Sequence, residues 1–213
     1  MGKYFLSGKE MQKIEDHYHK FFTEAGAKDS EVVMHEIVSD DMHIDLVHYL
    51  PTEIFPYNII ATVGMSGYEM QNVPFKRVEL IMFLPKDWKL DEESFKDENW
   101  YWPIRMLKEC ARLPYLNNTA LSIFHTFSYD AEYKPFAEST DMSVGFLTFP
   151  TWLNHDIFSL KYGFLKKKEI NFLCLTAITK DELDKLQEYD VDIFMYKFLN
   201  KDGLDDLEVR NKR

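Results

Sequence analysis

Apolar positions recur along this chain with two different periods, and the change from one to the other divides it into elements. Met11, Ile14, Tyr18, Phe21 and Phe22 fall at helical spacing, and Ser7 and Glu10 have the spacing of a capping box. The pattern predicts an amphipathic opening helix that stops at Ala25-Gly26. Glu31 to Val38 reads as a short strand with Val33 and His35 on one face, and Asp40-Asp41 turn the chain. From there the period shortens to two. His43 to Tyr49 alternates polar and apolar residues, while Tyr57 to Val63 and Arg77 to Leu84 are rich in the β-branched and aromatic residues that suit a pleated surface. The first three strands of the chain, at Glu31 to Val38, His43 to Tyr49 and Tyr57 to Val63, are expected to pair as an antiparallel meander, with Arg77 to Leu84 following as the next strand. Between the last two lies Gly64-Met65-Ser66-Gly67, whose glycines permit a tight change of direction at a strand end, a place suited to a ligand or partner.

Beyond Pro85 the pattern weakens and then returns. Lys86 to Glu98 is an acidic stretch, read as a loop with a short helical piece. Asn99 is placed to cap a helix with Pro103 in its first turn and Ile104, Leu107, Cys110 and Ala111 on one face, ending at Pro114. Leu121 to Phe127 and Met142 to Phe149 have strand composition, and Tyr129 to Asp141 between them is aperiodic and read as a long loop. Ile170 to Ile178 is a strong strand. Thr179 and Glu182 make a second capping box before a helix with Leu183 and Leu186, and Ile193 to Leu199 reads as a final strand. The order implies an α+β fold, a largely antiparallel or mixed sheet covered by helices. Residues 1–200 are expected to form a single domain and 201–213 a polar, loose tail.

Composition narrows the chemistry. Of the 213 residues, 46% are hydrophobic, enough for a real core, and 15% are aromatic, so most Phe and Tyr belong to that core. The net charge of -11 disfavours direct binding to nucleic acid or to anionic membranes and fits a partner with a basic surface. Two cysteines, Cys110 and Cys174, do not make a disulfide framework and read as buried thiols in a reducing compartment. No run of about 18 apolar residues is present. The N-terminus lacks a signal-peptide apolar region, and Ser7 stands one place too late for an acylation signal, so a cytoplasmic location is expected.

Catalytic motifs are incomplete. Ser66 lies after a strand between glycines, but a nucleophile elbow needs Gly-x-Ser-x-Gly, and Tyr68 stands where the second glycine should be. A hydrolase using Ser66 with a histidine stays as the lesser alternative, and a turn whose hydroxyl bonds backbone groups is the plainer reading. The histidines have no metal-ligand spacing, and no phosphate loop occurs, so neither metal nor cofactor is expected. Lys166 to Lys168 is a basic run without interleaved aromatics, a weak nucleic-acid signal. A binding protein would instead use aromatic anchors rimmed by charge. The candidates are Trp88 and Trp100 as anchors among Asp87, Asp91, Glu92, Glu93, Asp97 and Glu98, with Met65, Ser66 and Tyr68 as a second patch.

Four groups of residues carry a family resemblance: Thr62-x-Gly64-Met65-Ser66, Glu79-Leu80 through Leu84-Pro85, Phe149-Pro150-Thr151-Trp152, and Phe172 to Asp190. Together they resemble the suppressor-of-fused domain family. The resemblance implies a binding protein and not an enzyme. Animal members sequester a transcription factor, and short bacterial members look like immunity proteins that neutralise polymorphic toxins. The function this implies is an antitoxin-like binding protein whose partner is a cognate toxin, for example a nuclease, with a non-toxin regulatory module as the alternative.

Overall fold

The computed structural model describes residues 4–34, 41–166, 168–195 and 209. Helix α1 (Gly8–Glu24) forms where the periodicity places it, and the Ser7 amide and hydroxyl both donate to the Glu10 carboxylate, at 3.1 and 2.8 Å. Its buried face is Ile14, Tyr18, Phe21 and Phe22. The chain then lays down β1 (Lys28–Met34), β2 (Asp45–Leu50), β3 (Tyr57–Val63) and β4 (Val78–Pro85), each antiparallel to the one before. The first three form the expected meander, and β4 extends it. Its first strand starts at Lys28 and not at Glu31, and residues 35–38 lie outside the described residues.

After β4 come α2 (Glu98–Asn117), β5 (Thr126–Phe127), β6 (Met142–Thr148), β7 (Ser159–Tyr162) and β8 (Lys168–Thr179). The sheet order is β1-β2-β3-β4-β8-β6-β5, with β7 paired to the start of β8. β8 runs parallel to β4 and antiparallel to β6, so the sheet is mixed. A parallel pair needs a long crossover, and the segment containing α2 is part of it. Both faces of the sheet are covered. α1 packs with Val47, Ile59, Ala61, Ile81 and Phe83 on one face. On the other, Trp102, Ile104, Met106 and Leu107 of α2 pack with Leu46, Ile60, Leu80, Met82 and Leu84. Successive residues of β3 and β4 therefore enter opposite cores, which is why these strands are continuous apolar runs. The alternation read at β2 does not mark a wet face: Asp45 pairs with His43 at 2.9 Å, and His48 bonds Asn58 Oδ1 at 2.9 Å, all within or beside the buried sheet.

Several expectations need correction. Helix α2 is capped by Asp97, whose carboxylate accepts from the Asn99 amide, and it runs through Pro114 to a left-handed Asn118 (φ 49°) whose amide donates to Pro114 O. The strand expected at Leu121–Phe127 shrinks to Thr126–Phe127, and β7 was not expected at all. Ile193 and Phe194 are helical, in α4 (Val191–Phe194), because Asp190 caps that turn and Phe194 packs edge-on against Phe146; residues 196–199 lie outside the described residues. α3 (Lys180–Glu188) follows its capping box as expected. Of the tail read as loose, only Val209 is described, and it is buried, its amide donating to Phe83 O at 2.8 Å. The long loop 129–141 has no regular structure, yet Phe136 within it is buried and stacked on Trp102. No helix among the described residues is long and apolar enough to cross a membrane.

Candidate functional site

A glutamate in the middle of an apolar strand must find partners for its carboxylate or the strand would not be buried there. Glu79 of β4 is fully buried. One of its oxygens accepts from the Gly64 amide (3.0 Å), the Ser66 amide (3.0 Å) and the Ser66 hydroxyl (2.6 Å), and the other from the Thr62 hydroxyl (2.7 Å). Thr62 Oγ1 in turn accepts from the Leu80 amide at 2.8 Å. Burial pushes the Glu79 carboxyl upward from its ordinary range, and the hydroxyl and amide donors of Ser66, Thr62 and Gly64 pull against that rise. Thr62, Gly64, Ser66, Glu79 and Leu80 are thus one connected network, although they sit on two strands and a turn. Its geometry also explains both glycines. Gly64 has φ 122° and a side chain there would meet His43 O at 2.1 Å; a side chain at Gly67 would meet Tyr4 O at 2.2 Å.

The turn, a short 3₁₀ segment at Met65–Gly67, is roofed over by the N-terminal segment and clamped from outside. Arg77 donates to Ser66 O (2.8 Å), to Gly67 O (3.2 Å) and to Glu69 (2.8 Å). Tyr68 packs edge-on against Tyr4 with ring centres 5.1 Å apart, and Tyr115 completes a cluster of three rings. Beside Arg77 a cleft of about 460 Å³ opens between Lys76 and Lys168. Its cations already face carboxylates, Lys76 and Arg77 on Glu69 and Lys168 on Glu10, so it is not a ready anion site.

The residues singled out from sequence separate by burial. Met65 lies in the core, and Ser66 has no exposed surface and commits its hydroxyl to Glu79, which removes it as a surface contact or an accessible nucleophile. Its partner is a carboxylate and not the backbone expected for a turn hydroxyl. Trp88 is only 6% exposed; its indole N–H donates to Trp100 O, and its ring meets Trp100 and Trp102 edge-on. It is a plug for the core and not an anchor. Trp100 and Tyr68 remain half-buried, and Asp87, Asp91, Glu92, Glu93, Asp97 and Glu98 are all exposed along one stretch of chain. Four of these six have local partners. Asp91 accepts from the Ser94 amide and hydroxyl, which hold its carboxyl below the usual range; Glu93 pairs with Lys96, Asp97 caps α2, and Glu98 meets Arg105. Asp87 and Glu92 have no ion-pair partner among the described residues.

Sequence reasoning missed Glu79, Arg77, Tyr4 and Tyr115. The signal for the first was present, since a lone acid inside Val-Glu-Leu-Ile-Met-Phe-Leu is conspicuous; the contacts of Tyr4 with the turn are long-range and leave no local trace. Among the described residues no group of three or more His, Cys, Asp or Glu side chains is disposed to hold a metal ion. Cys110 and Cys174 are buried free thiols, and burial pushes the Cys174 thiol up to about 12.

By sequence, no curated protein matches this chain. By structure, it is similar to a SUFU homolog from Neisseria gonorrhoeae FA 1090, with a TM-score of 0.66 and 14% identity over 97% of this chain and 96% of that one. It is also similar to Sufu in the Sufu–Fu complex, with a TM-score of 0.64 and 14% identity over 94% of this chain and 88% of that one. Drosophila Suppressor of Fused matches with a TM-score of 0.60 and 14% identity over 98% of this chain, which spans 52% of that longer one. At such identities the likeness is one of fold. The family model described as Suppressor of fused protein (SUFU) matches residues 40–210, a range that takes in the Gly64 turn, Glu79 and the acidic strip, and the chain therefore belongs to the suppressor of fused family.

Proposed function

We propose that this chain works in the cytoplasm by binding another protein, and that the partner is a cognate toxin which it neutralises as an immunity protein. The observation that carries protein binding is that a structure of the same fold, matched over most of both chains, is a complex of Sufu with Fu. What supports a basic partner is the surface itself: a net charge of -11 and a run of exposed carboxylates from Asp87 to Glu98 beside half-buried Trp100. A toxin that handles nucleic acid must present a basic surface to phosphates, and an acidic protein meets that surface as a decoy. The Sufu–Fu complex also favours a second reading, a regulatory binding module with no toxin.

The test is co-expression with the toxin domain encoded by an adjacent reading frame. Growth rescue together with a stable complex on mixing the purified proteins is the expected result. Rescue without complex formation would overturn direct neutralisation, and a complex with no toxic partner would favour the regulatory reading.

A further inference from the structure

Two loops leave the sheet at the same end. β3 runs antiparallel to both β2 and β4, and Tyr57 at its start pairs with Pro85 at the end of β4, so the connection 51–56 and the segment after Pro85 emerge side by side. Asn58 Nδ2 donates to Pro85 O at 2.9 Å and ties them together. Between them a cleft of about 710 Å³ is lined by Pro51, Thr52, Glu53, Pro56, Lys86 and Asp87. The first loop is held in a fixed shape. The Thr52 amide donates to Phe55 O (2.8 Å), the Phe55 amide to Thr52 Oγ1 (3.1 Å), and the Thr52 hydroxyl to Gly26 O (2.7 Å). Phe55 is thereby buried, while Ile54, next to Glu53, is left 83% exposed. None of these bonds needs an apolar side chain at position 54.

We propose that this cleft receives an arginine or lysine side chain of a basic protein partner, with Ile54 as the apolar contact beside it; the assignment rests on the binding function proposed above. Charge chooses the occupant. Glu53 and Asp87 are exposed, and their carboxylates have no hydrogen-bond or ion-pair partner among the described residues, so both are free to meet an incoming cation. Lys86 lines the same cleft and subtracts from the attraction, leaving two carboxylates against one ammonium. Pro51 and Pro56 give the aliphatic stem of the entering side chain an apolar wall while its head stays with the carboxylates. Asp87 belongs both to the cleft and to the acidic strip, so the cleft continues the surface that runs on toward Trp100. It also provides what the strip lacks. Trp88 is a core plug, and exposed carboxylates steer a partner without holding it. A β-branched side chain on a fixed loop loses little freedom on contact, which suits Ile54 to retain the partner.

The experiment follows the Ile54 methyl group by NMR in the full chain, titrated with a blocked Gly-Arg-Gly peptide and with its citrulline counterpart, which has the same shape and no charge. A saturable shift with the arginine peptide alone is expected, with affinity weakened ~5-fold or more in Glu53→Gln/Asp87→Asn and strengthened ~2-fold in Lys86→Ala. Equal shifts with both peptides, or none, would overturn the proposal, as would indifference to these substitutions. A second arm uses the toxin domain encoded by an adjacent reading frame. Ile54→Ser should speed its dissociation ~10-fold at an unchanged urea midpoint. Phe164→Ser should leave dissociation unchanged, since Phe164 is as exposed as Ile54 but lies on the β7–β8 loop, at the Val78 end of β4 and not the Pro85 end. Wild-type dissociation in Ile54→Ser, or equal losses in both variants, would overturn the proposal. A wild type that takes the arginine peptide into the cleft but does not bind the toxin domain would support the cleft and overturn the toxin reading.

Discussion

A buried carboxylate facing four donors ties the stability of the Gly64 turn to single atoms. Ser66→Ala removes one hydroxyl donor from Glu79 and leaves its other three bonds in place. Hydrogen bonds to charged groups contribute about 1.5–3 kcal/mol, so the variant should lose that much in urea unfolding. It should retain partner binding, because Ser66 has no exposed surface. Glu79 adds a pH dependence with a definite sign. Its carboxyl is raised in the folded protein, chiefly by burial, so the folded state holds this proton to higher pH than the unfolded chain. The stability it contributes is full below the ordinary carboxylate value and declines as pH rises through the raised one. Glu79→Gln has no such titration. The stability gap between wild type and Glu79→Gln should therefore narrow from pH 4 toward neutrality, and a gap that widens instead would show that the four donors outweigh burial.

Elements were legible where local signals were complete and illegible where tertiary contacts decided. Both capping boxes, at Ser7 and Thr179, lie within four residues of sequence and start α1 and α3 as read. The meander was readable because β3 and β4 are apolar on both faces and their ends are punctuated by Gly64 and Pro85. By contrast, Ile193 and Phe194 have strand composition, and it is Asp190 and the contact with Phe146 that make them helical. The burial of Met65 and Trp88 was likewise hidden, since the groups that cover them lie far away in sequence or turn the indole inward. Helix α2 shows how one residue carries two roles. Asp97 belongs to the acidic strip and also caps the helix, so Asp97→Ala should cost about 1 kcal/mol of stability, read as a lower urea midpoint with unchanged slope. An unchanged midpoint would mean that the cap contributes nothing and that the carboxylate is only a surface charge.

Charge at the scale of the whole molecule governs how a basic partner arrives, and buried contacts govern how long it stays. The acidic strip is exposed, so its field is screened over ~10 Å at 0.1 M salt, and raising salt from low to high should slow association by ~10-fold or more while leaving dissociation nearly constant. The structure selects which carboxylates to reverse. Asp91 and Asp97 hold local turns, so reversing them would confuse folding with steering; Asp87 and Glu92 are exposed without ion-pair partners among the described residues. Asp87→Lys/Glu92→Lys should therefore slow association and flatten its salt dependence at unchanged stability. The tryptophans then divide by burial. Trp100→Ala should mainly accelerate dissociation, whereas Trp88→Ala empties a core site and should cost about 3–5 kcal/mol of stability. Stopped-flow association and dissociation of the proposed toxin partner, measured across salt for these variants, separates the effects. An association rate indifferent to both salt and the Asp87/Glu92 reversals would remove the strip from the interface and move the contact to the ring cluster of Tyr4, Tyr68 and Tyr115 beside the Gly64 turn.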